Sequence, residues 1–142
     1  MDDPFHLDRF VQAQGPVYET ALAELRQGRK ASHWMWFVFP QIEGLGLSAI
    51  SQHYVITNLD EARAYLAHPL LGARLVECLE VVNAVDGRSA HEIFGTPDDL
   101  KLRSSLTLFA QAASDSPVFA EALAKYFAGE PDPLTLERLG GA

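Results

Sequence analysis

The sequence predicts an all-α fold, a compact single domain over residues 1–142 with about six to eight short helices. Two observations support this prediction. Helix start and stop signals recur along the whole chain, whereas the alternation of apolar and polar residues that is typical of strands is almost absent. A chain of 142 residues also has the usual size of one domain and can bury a hydrophobic core.

Three predicted helices are amphipathic. The first places Leu7, Phe10 and Val11 on one face, at the spacing of successive helical turns. The second runs from about Val17 to Gln27 and stops at Gly28, because glycine often ends helices. A third follows Pro69, and its inward residues are Leu71, Leu75, Cys78, Leu79 and Val82.

Start signals mark most of the other helices. A capping residue followed three positions later by glutamate predicts a helix N-terminus, because the two side chains can bond to each other's backbone amides. A proline after a capping residue predicts the same boundary, because proline fits the first helical turn. These signals are Asn58 with Glu61, Ser89 with Glu92, Thr96-Pro97, Ser116-Pro117 and Asp132-Pro133.

The segment from Trp34 to Phe39 is the exception to these patterns. It is almost continuously aromatic or apolar, which is compatible with a buried helix or a buried strand. Helices are predicted on both sides and no partner strand is visible. We therefore favour a short helix that is capped by Ser32 and ended by Pro40.

The net charge of −8 argues against a nucleic-acid partner, because proteins that bind nucleic acids neutralise phosphates with clustered Lys and Arg. The nearest basic cluster is Arg26, Arg29 and Lys30. It lies at a predicted helix C-terminus, where cations complement the helix dipole. We expect no nucleic-acid partner.

Cys78 is the single cysteine, which excludes an intramolecular disulfide and a thiol cluster for zinc or iron–sulfur. The five histidines lack the i, i+4 pairing of a zinc helix, so we expect no metal and no cofactor. The N-terminus lacks a signal-peptide pattern, and no apolar run approaches the ~20 residues of a membrane span. We expect no membrane partner and a cytoplasmic location, and nothing in the sequence predicts an oligomeric state.

The candidate site lies in the stretch from Ser32 to Ser51. His33 and Gln41 stand at opposite ends of a run that contains Trp34 and Trp36, and a chain reversal would bring both polar side chains toward one cavity. Aromatic faces stack on flat ligands, while an imidazole and an amide supply directional hydrogen bonds. The sequence therefore predicts a polar-aromatic pocket for a small molecule, such as a nucleotide-like compound.

The predicted pocket has one catalytic candidate, His33, which would act as general acid–base if the protein is an enzyme. No motif fixes a reaction, so the sequence leaves open whether it is one. Lys101 and Ser105 share a face of a long predicted helix by their four-residue spacing. The predicted ligand-binding residues are Trp34, Trp36, Gln41, Ser48, Ser51, Tyr54, Lys101 and Ser105.

The segment Gly44-Leu45-Gly46 has two interpretations. With Ser48 and Ser51 it would form a loop whose amides face an anion at a helix N-terminus. However, the spacing matches no phosphate-loop fingerprint. Glycines in a turn followed by a serine that caps a helix explain the same residues. We favour the plain turn.

The aromatic run also has two other interpretations. It is the anchor of a non-enzymatic protein-interaction module, since Trp, Tyr and Phe are enriched in binding hot spots, or it simply fills the core. Solvent exposure separates the three. A concave and partly exposed cluster supports the pocket, a flat exposed cluster supports the partner surface, and full burial supports the core.

The sequence resembles a known family over nearly the whole chain. The residues that carry the resemblance are Asp8-Arg9-Phe10-Val11, Gln14, Gly28-Arg29-Lys30, the run from Ser32 to Gln41, Gly44-Leu45-Gly46, Ser48, Ser51, Tyr54, the run from Ala67 to Gly72, Ile93-Phe94-Gly95, and Lys101 through Phe109. The family is an uncharacterised bacterial domain-of-unknown-function family that is often mislabelled "calpastatin" in genome annotation. The resemblance implies a mainly α-helical single domain and no established activity. Calpastatin itself is a long disordered inhibitor of different composition.

Overall fold

The computed structural model describes residues 3–45, 52–113 and 115–140, which adopt an all-α fold. The helices of this described part are α1 (Asp8–Gln14), α2 (Tyr18–Arg26), α3 (Met35–Val38), α4 (Leu59–Ala67), α5 (Leu71–Asn83), α6 (Ala90–Phe94), α7 (Asp98–Ala112), α8 (Pro117–Phe127) and α9 (Pro133–Arg138). The predicted fold class is confirmed. The helices are slightly more numerous than predicted because α3, α6 and α9 contain only 4, 5 and 6 residues.

Side-chain caps place several helix starts where the sequence predicts them. Asn58 accepts a hydrogen bond from the Glu61 amide at 2.9 Å, and Ser89 and Glu92 form a full reciprocal capping box. The box at α4 is only half formed. There, Glu61 Oε1 accepts hydrogen bonds from the amide and the hydroxyl of Thr57, at 3.0 and 2.7 Å. The Glu61 carboxylate thus accepts hydrogen bonds from Thr57, whereas the capping-box pattern predicts that it accepts one from the Asn58 amide.

The predicted cap of α3 is wrong. Trp34 is the residue that precedes the helix, and no side-chain hydrogen bond caps it. The Ser32 hydroxyl instead donates to Glu24 on α2, at 2.5 Å. A carboxylate is a stronger acceptor than a neutral partner, so Ser32 holds two chain segments together rather than one helix end. The predicted end is close to the observed one, since α3 stops at Val38 and Pro40 follows two residues later.

α7 is central to the packing and contacts α4, α6, α8 and α9. Leu102, Leu106, Leu108 and Phe109 on this helix are all buried. Burial of one such side chain contributes about 1.5–3 kcal/mol to stability. With 15 residues α7 is the longest of the described helices, and none of these is long and apolar enough to cross a membrane.

α5 forms the second layer, against α2, α4 and α8. All five residues that the sequence predicts to point inward from this helix are buried, Cys78 among them. Burial raises the pKa of the Cys78 thiol to about 12, because the thiolate would lose its hydration. The thiol therefore stays protonated, as expected for a small core residue.

The turn between α4 and α5 requires a glycine. Gly72 lies in the first turn of α5, and a Cβ atom there would come within 2.1 Å of the carbonyl oxygen of Leu66. That oxygen belongs to the backbone of α4 and cannot rotate away. Gly72 thus permits the close approach of the two helices.

Arg9 ties the first helix to a distant part of the chain. Its guanidinium lies 2.9 Å from the Glu61 carboxylate, and both side chains are almost fully buried. Every nitrogen of the guanidinium is used, since Nε, Nη1 and Nη2 together donate to the carbonyl oxygens of Phe5, His6, His53 and Val55 and to Glu61. The pair is therefore compensated by hydrogen bonds, which a buried ion pair needs to persist.

Candidate functional site: a cleft beside Trp36

A cleft of about 790 Å³ opens between α7, α9 and the chain around and after α3. We call it the Trp36 cleft. Its described lining residues are Trp36, Gln41, Gly44, Leu45, Pro97, Leu100, Lys101, Arg103, Ser104, Asp132, Leu134, Glu137 and Arg138. Apolar side chains thus alternate with three cations and two carboxylates.

The short helix α3 divides the aromatic run between the core and the cleft. Trp34 is fully buried, and its ring centroid lies 6.2 Å from that of Phe39. Trp36 is half-buried and lines the cleft. This division follows from helix geometry, because residues in one turn of 3.6 residues point in different directions. The core interpretation therefore describes Trp34, while Trp36 meets the exposure expected of a pocket residue.

Two polar side chains from other helices hold α3 in place. At its start, Glu24 Oε1 accepts a hydrogen bond from the indole Nε1 of Trp34 at 2.9 Å. At its end, the buried amide of Gln14 donates to the carbonyl oxygen of Phe37 at 2.6 Å. Because both contacts are polar and directional, the position of Trp36 between them is fixed by α1 and α2.

Glu24 also organises the turn that precedes α3. Its Oε1 accepts hydrogen bonds from the amides of Ala31 and Ser32, at 2.8 and 3.0 Å. Burial of the carboxylate alone would raise its pKa. The hydrogen bonds from the Ser32 hydroxyl, the Ala31 amide and the Trp34 indole outweigh that effect, and the pKa of Glu24 lies below its ordinary value.

Lys101 faces the ring of Trp36. Its Nζ lies 5.1 Å from the ring centroid, within the range of a cation–π interaction. Asp98 lies behind this ammonium, with Oδ1 at 3.5 Å from Lys101 Nζ and Oδ2 at 2.8 Å from Lys30 Nζ. The cleft therefore offers an aromatic face and a positive charge at one place.

Asp132 provides a fixed carboxylate on the α9 side of the cleft. Its Oδ2 accepts hydrogen bonds from the Ser104 hydroxyl at 3.1 Å and from the Thr135 hydroxyl at 2.6 Å. The Thr135 amide also donates to Oδ2 at 3.1 Å, which makes Asp132 the cap of α9, as the sequence predicts. One residue thus serves as a helix cap and as part of the cleft wall.

The remaining cations are held by the backbone. Arg103 donates from Nε and Nη2 to the carbonyl oxygens of Glu130 and Pro131, each at 2.9 Å. Arg138 donates from Nε to the carbonyl oxygen of Glu43 at 3.2 Å. Gly44 has a φ of +95°, and a Cβ atom there would lie 1.9 Å from Arg138 Nη2, so only glycine allows this guanidinium to approach the chain.

The structure brings together three of the predicted site residues, Trp36, Gln41 and Lys101. Gln41 is held in place by its backbone, since its carbonyl oxygen accepts a hydrogen bond from the Ile56 amide at 2.9 Å. This bond belongs to the isolated parallel bridge between Ile42 and Ile56. The aromatic ring, the amide and the ammonium of these three residues therefore line one cleft.

The other predicted residues do not line this cleft. His33 is exposed outside it, so the chain reversal delivers Gln41 but not His33. Ser105 is buried, and the adjacent Ser104 lines the cleft in its place. The ring of Tyr54 contacts Phe10 and Phe37 instead. Gly46, Ser48 and Ser51, and with them the predicted anion loop, lie outside the described residues.

Sequence reasoning missed the wall that α9 contributes. Asp132 carried a clear signal, but the signal is that of a helix cap and says nothing of a cleft. Glu137 and Arg138 carried none, because only the packing of α9 against α7 brings them into the lining of the cleft. Among the described residues no group of three or more His, Cys, Asp or Glu side chains is arranged to hold a metal ion.

Comparison with known proteins finds relatives without a stated activity. Residues 4–139 match the family described as "Protein of unknown function (DUF1810)". The chain is similar to the crystal structure of the conserved hypothetical protein Rv1873 from Mycobacterium tuberculosis, with 57% sequence identity and a TM-score of 0.96. The match covers 97% of this chain and 99% of that chain. No curated protein matches the sequence.

Proposed function

This chain belongs to the DUF1810 family of proteins of unknown function, and we propose that it binds a small, flat and anionic molecule, such as a nucleotide-like compound, in the Trp36 cleft. The observation that carries the proposal is the half-buried face of Trp36 with Lys101 Nζ 5.1 Å from its ring centroid. A ring can stack on the indole while the ammonium attracts a negative group.

The size and lining of the cleft support this proposal. Pockets for small molecules usually have a volume of about 300–1,000 Å³ and combine apolar walls with a few polar groups. The Trp36 cleft has a volume of about 790 Å³. Arg103 and Arg138 add two cations that are already held by backbone carbonyls, so an anion need not order them on binding. We also propose a cytoplasmic location, in keeping with the single buried thiol.

The test is a thermal-shift screen of the full chain against nucleoside mono-, di- and triphosphates. A ligand at about 100 times its Kd should stabilise the wild type by about 2.7 kcal/mol, or roughly 5–10 °C. Trp36→Leu should weaken binding by about fivefold to 150-fold, because the loss of base stacking costs about 1–3 kcal/mol. Lys101→Gln should weaken the binding of anionic ligands in particular.

His33→Ala is the informative comparison for the same screen. Because His33 lies outside the cleft, we expect this variant to keep the ligand-induced shift. If only His33→Ala lost the ligand-induced shift in melting temperature, His33 would be part of the binding site. An unchanged ligand-induced shift in both Trp36→Leu and Lys101→Gln would contradict the proposed function.

The second candidate is a non-enzymatic protein-interaction module. It is favoured by Leu100 and Leu134, which line the cleft and are 56% and 58% exposed. Together with Trp36 they would present an apolar surface to a partner, as hot spots do. A protein that fails the nucleotide screen but whose self-association or partner binding is abolished by Leu100→Ala and Leu134→Ala would support this alternative.

A further inference from the structure

The two carboxylate oxygens of Asp132 differ in their hydrogen bonds. Oδ2 accepts three hydrogen bonds, from the Ser104 hydroxyl and from the amide and hydroxyl of Thr135. No described residue donates to Oδ1. The backbone of Asp132 is fixed as well, since its amide donates to Thr107 Oγ1 at 2.8 Å. The unused oxygen is therefore held rigidly while the residue lines the cleft.

The neighbouring cations do not neutralise this carboxylate. Arg103 directs Nε and Nη2 to the backbone carbonyls of Glu130 and Pro131. Lys101 lies near Asp98, and no described cation forms an ion pair with Asp132. Asp132 as a residue is half-buried, and a carboxylate oxygen from which a ligand displaces water favours a hydrogen-bond donor in its place. Among the described residues no donor takes this place, which leaves it to an occupant of the cleft.

We infer that Asp132 Oδ1 accepts a hydrogen bond from a hydroxyl group of the ligand, an inference that rests on the proposed function. The ligand would then combine a flat ring with a hydroxylated and anionic group, as a ribonucleotide does. The ring stacks on Trp36 and the anion pairs with the cleft cations. A sugar hydroxyl donates to Oδ1 without bringing a second negative charge to the carboxylate. Carboxylates recognise ribose hydroxyls in this way in dinucleotide-binding folds.

The experiment compares adenosine 5′-monophosphate with its 2′,3′-dideoxy analogue by calorimetric titration of the full chain. Wild type should bind the ribonucleotide at least about tenfold more tightly, which is the loss expected for one hydrogen bond to a charged group. Asp132→Asn replaces one carboxylate oxygen by an amide nitrogen and leaves an oxygen to accept from Thr135. It should weaken this preference, and the affinity for the dideoxy analogue should not fall, because the substitution removes a negative charge from the surroundings of the anion.

Glu130→Gln is the matched control. It removes the same charge two residues away from Asp132, on a side chain outside the cleft. This variant should keep the preference for the ribonucleotide. Loss of the preference in Glu130→Gln would assign the effect to charge and overturn the role of Asp132. Melting temperatures of both variants check that α9 remains folded, since Asn caps helices as well as Asp.

The outcomes separate the two proposals. Equal affinity of wild type for the two nucleotides overturns the role of Asp132 and leaves the proposed function standing. The absence of binding by either nucleotide, together with no effect of Trp36→Leu on any ligand of the screen, overturns both. Tighter binding of the 3′-amino-3′-deoxy analogue than of the ribonucleotide would show that Oδ1 takes a cation, which also overturns the inference.

Discussion

At the residue scale, Glu24 shows how one side chain outside the aromatic run determines where both tryptophans lie. Its carboxylate accepts hydrogen bonds from the turn before α3 and from the indole of Trp34. With Trp34 fixed in the core, the next turn of the chain directs Trp36 to the cleft. The partners of Glu24 follow it by 7 to 10 residues, and the chain returns to it through Gly28, whose φ is +71°.

Glu24→Gln should destabilise the protein at pH 7 by about 1–3 kcal/mol, because an amide accepts these hydrogen bonds less strongly than a carboxylate. The pKa of Glu24 in the folded chain lies below its ordinary value of 4.5. Its carboxylate therefore contributes stability above that pH, and the contribution is lost as the pH falls through the folded pKa. Urea unfolding at several pH values should show the difference between wild type and variant shrinking below about pH 4.5.

The exposed Glu19, also on α2, supplies the control, since Glu19→Gln should change stability by less than about 0.5 kcal/mol. A stability difference for Glu24→Gln that is the same at pH 7 and pH 3 would contradict the role of its ionised form.

At the element scale, the sequence predicts what is local and misses what depends on packing. The caps at Ser89 and Asp132 were predictable because their partners lie three residues away in the chain. The cap of α3 was not, because Ser32 bonds to a different helix. The same holds for the cleft. Trp36 and Lys101 were both predicted as residues of one pocket, while α9 joins them only through its contact with α7.

Gly72→Ala tests the packing of α4 on α5. Alanine usually stabilises a helix relative to glycine, by about 0.5–1 kcal/mol. Here we expect the opposite, a loss of about 1–3 kcal/mol, because the new Cβ would lie 2.1 Å from the Leu66 carbonyl oxygen. Chemical denaturation of the wild type and of Gly72→Ala measures the sign of the change in stability.

The chain contains a control for this substitution as well. Gly15, at the end of α1, has a φ of −46°, and apart from its chain neighbours the atoms nearest to a Cβ there would be the carbonyl oxygens of Val11 and Gln12, at 3.6 and 3.8 Å. Gly15→Ala should change stability by less than about 1 kcal/mol, because the helix preference of alanine is opposed by the crowding of its Cβ against the following Pro16. The loss should thus be clearly larger for Gly72→Ala, and a stabilising Gly72→Ala would refute the close approach.

At the scale of the whole molecule, Arg9 connects segments that are far apart in the chain. It joins the residues before α1 to the backbone at 53–55 and to the buried carboxylate of Glu61 on α4. The sequence places Arg9 on an amphipathic helix, where an arginine is usually exposed, so its burial could not be expected. It follows from the ion pair, which only the folded chain forms.

Arg9→Lys should lower the free energy of unfolding by at least about 2 kcal/mol, although the charge is kept. An ammonium has three donors on one nitrogen and cannot reach five acceptors around a planar group. The control is Arg63→Lys on α4, where the arginine and its partner Asp60 are 55% and 80% exposed. That exposed pair should contribute less than about 1 kcal/mol. Equal effects of the two substitutions would argue against the role of Arg9.

The division of the aromatic run also gives the protein an internal optical label. The chain has two tryptophans, each with a lysine ammonium 5.1 Å from its ring centroid, but Trp34 is fully buried whereas Trp36 is half-exposed at the cleft. Their emission responds to different surroundings, because only the second indole borders the cleft. Occupancy of the cleft is therefore readable from intrinsic fluorescence without a dye. The buried indole supplies a constant reference within the same molecule.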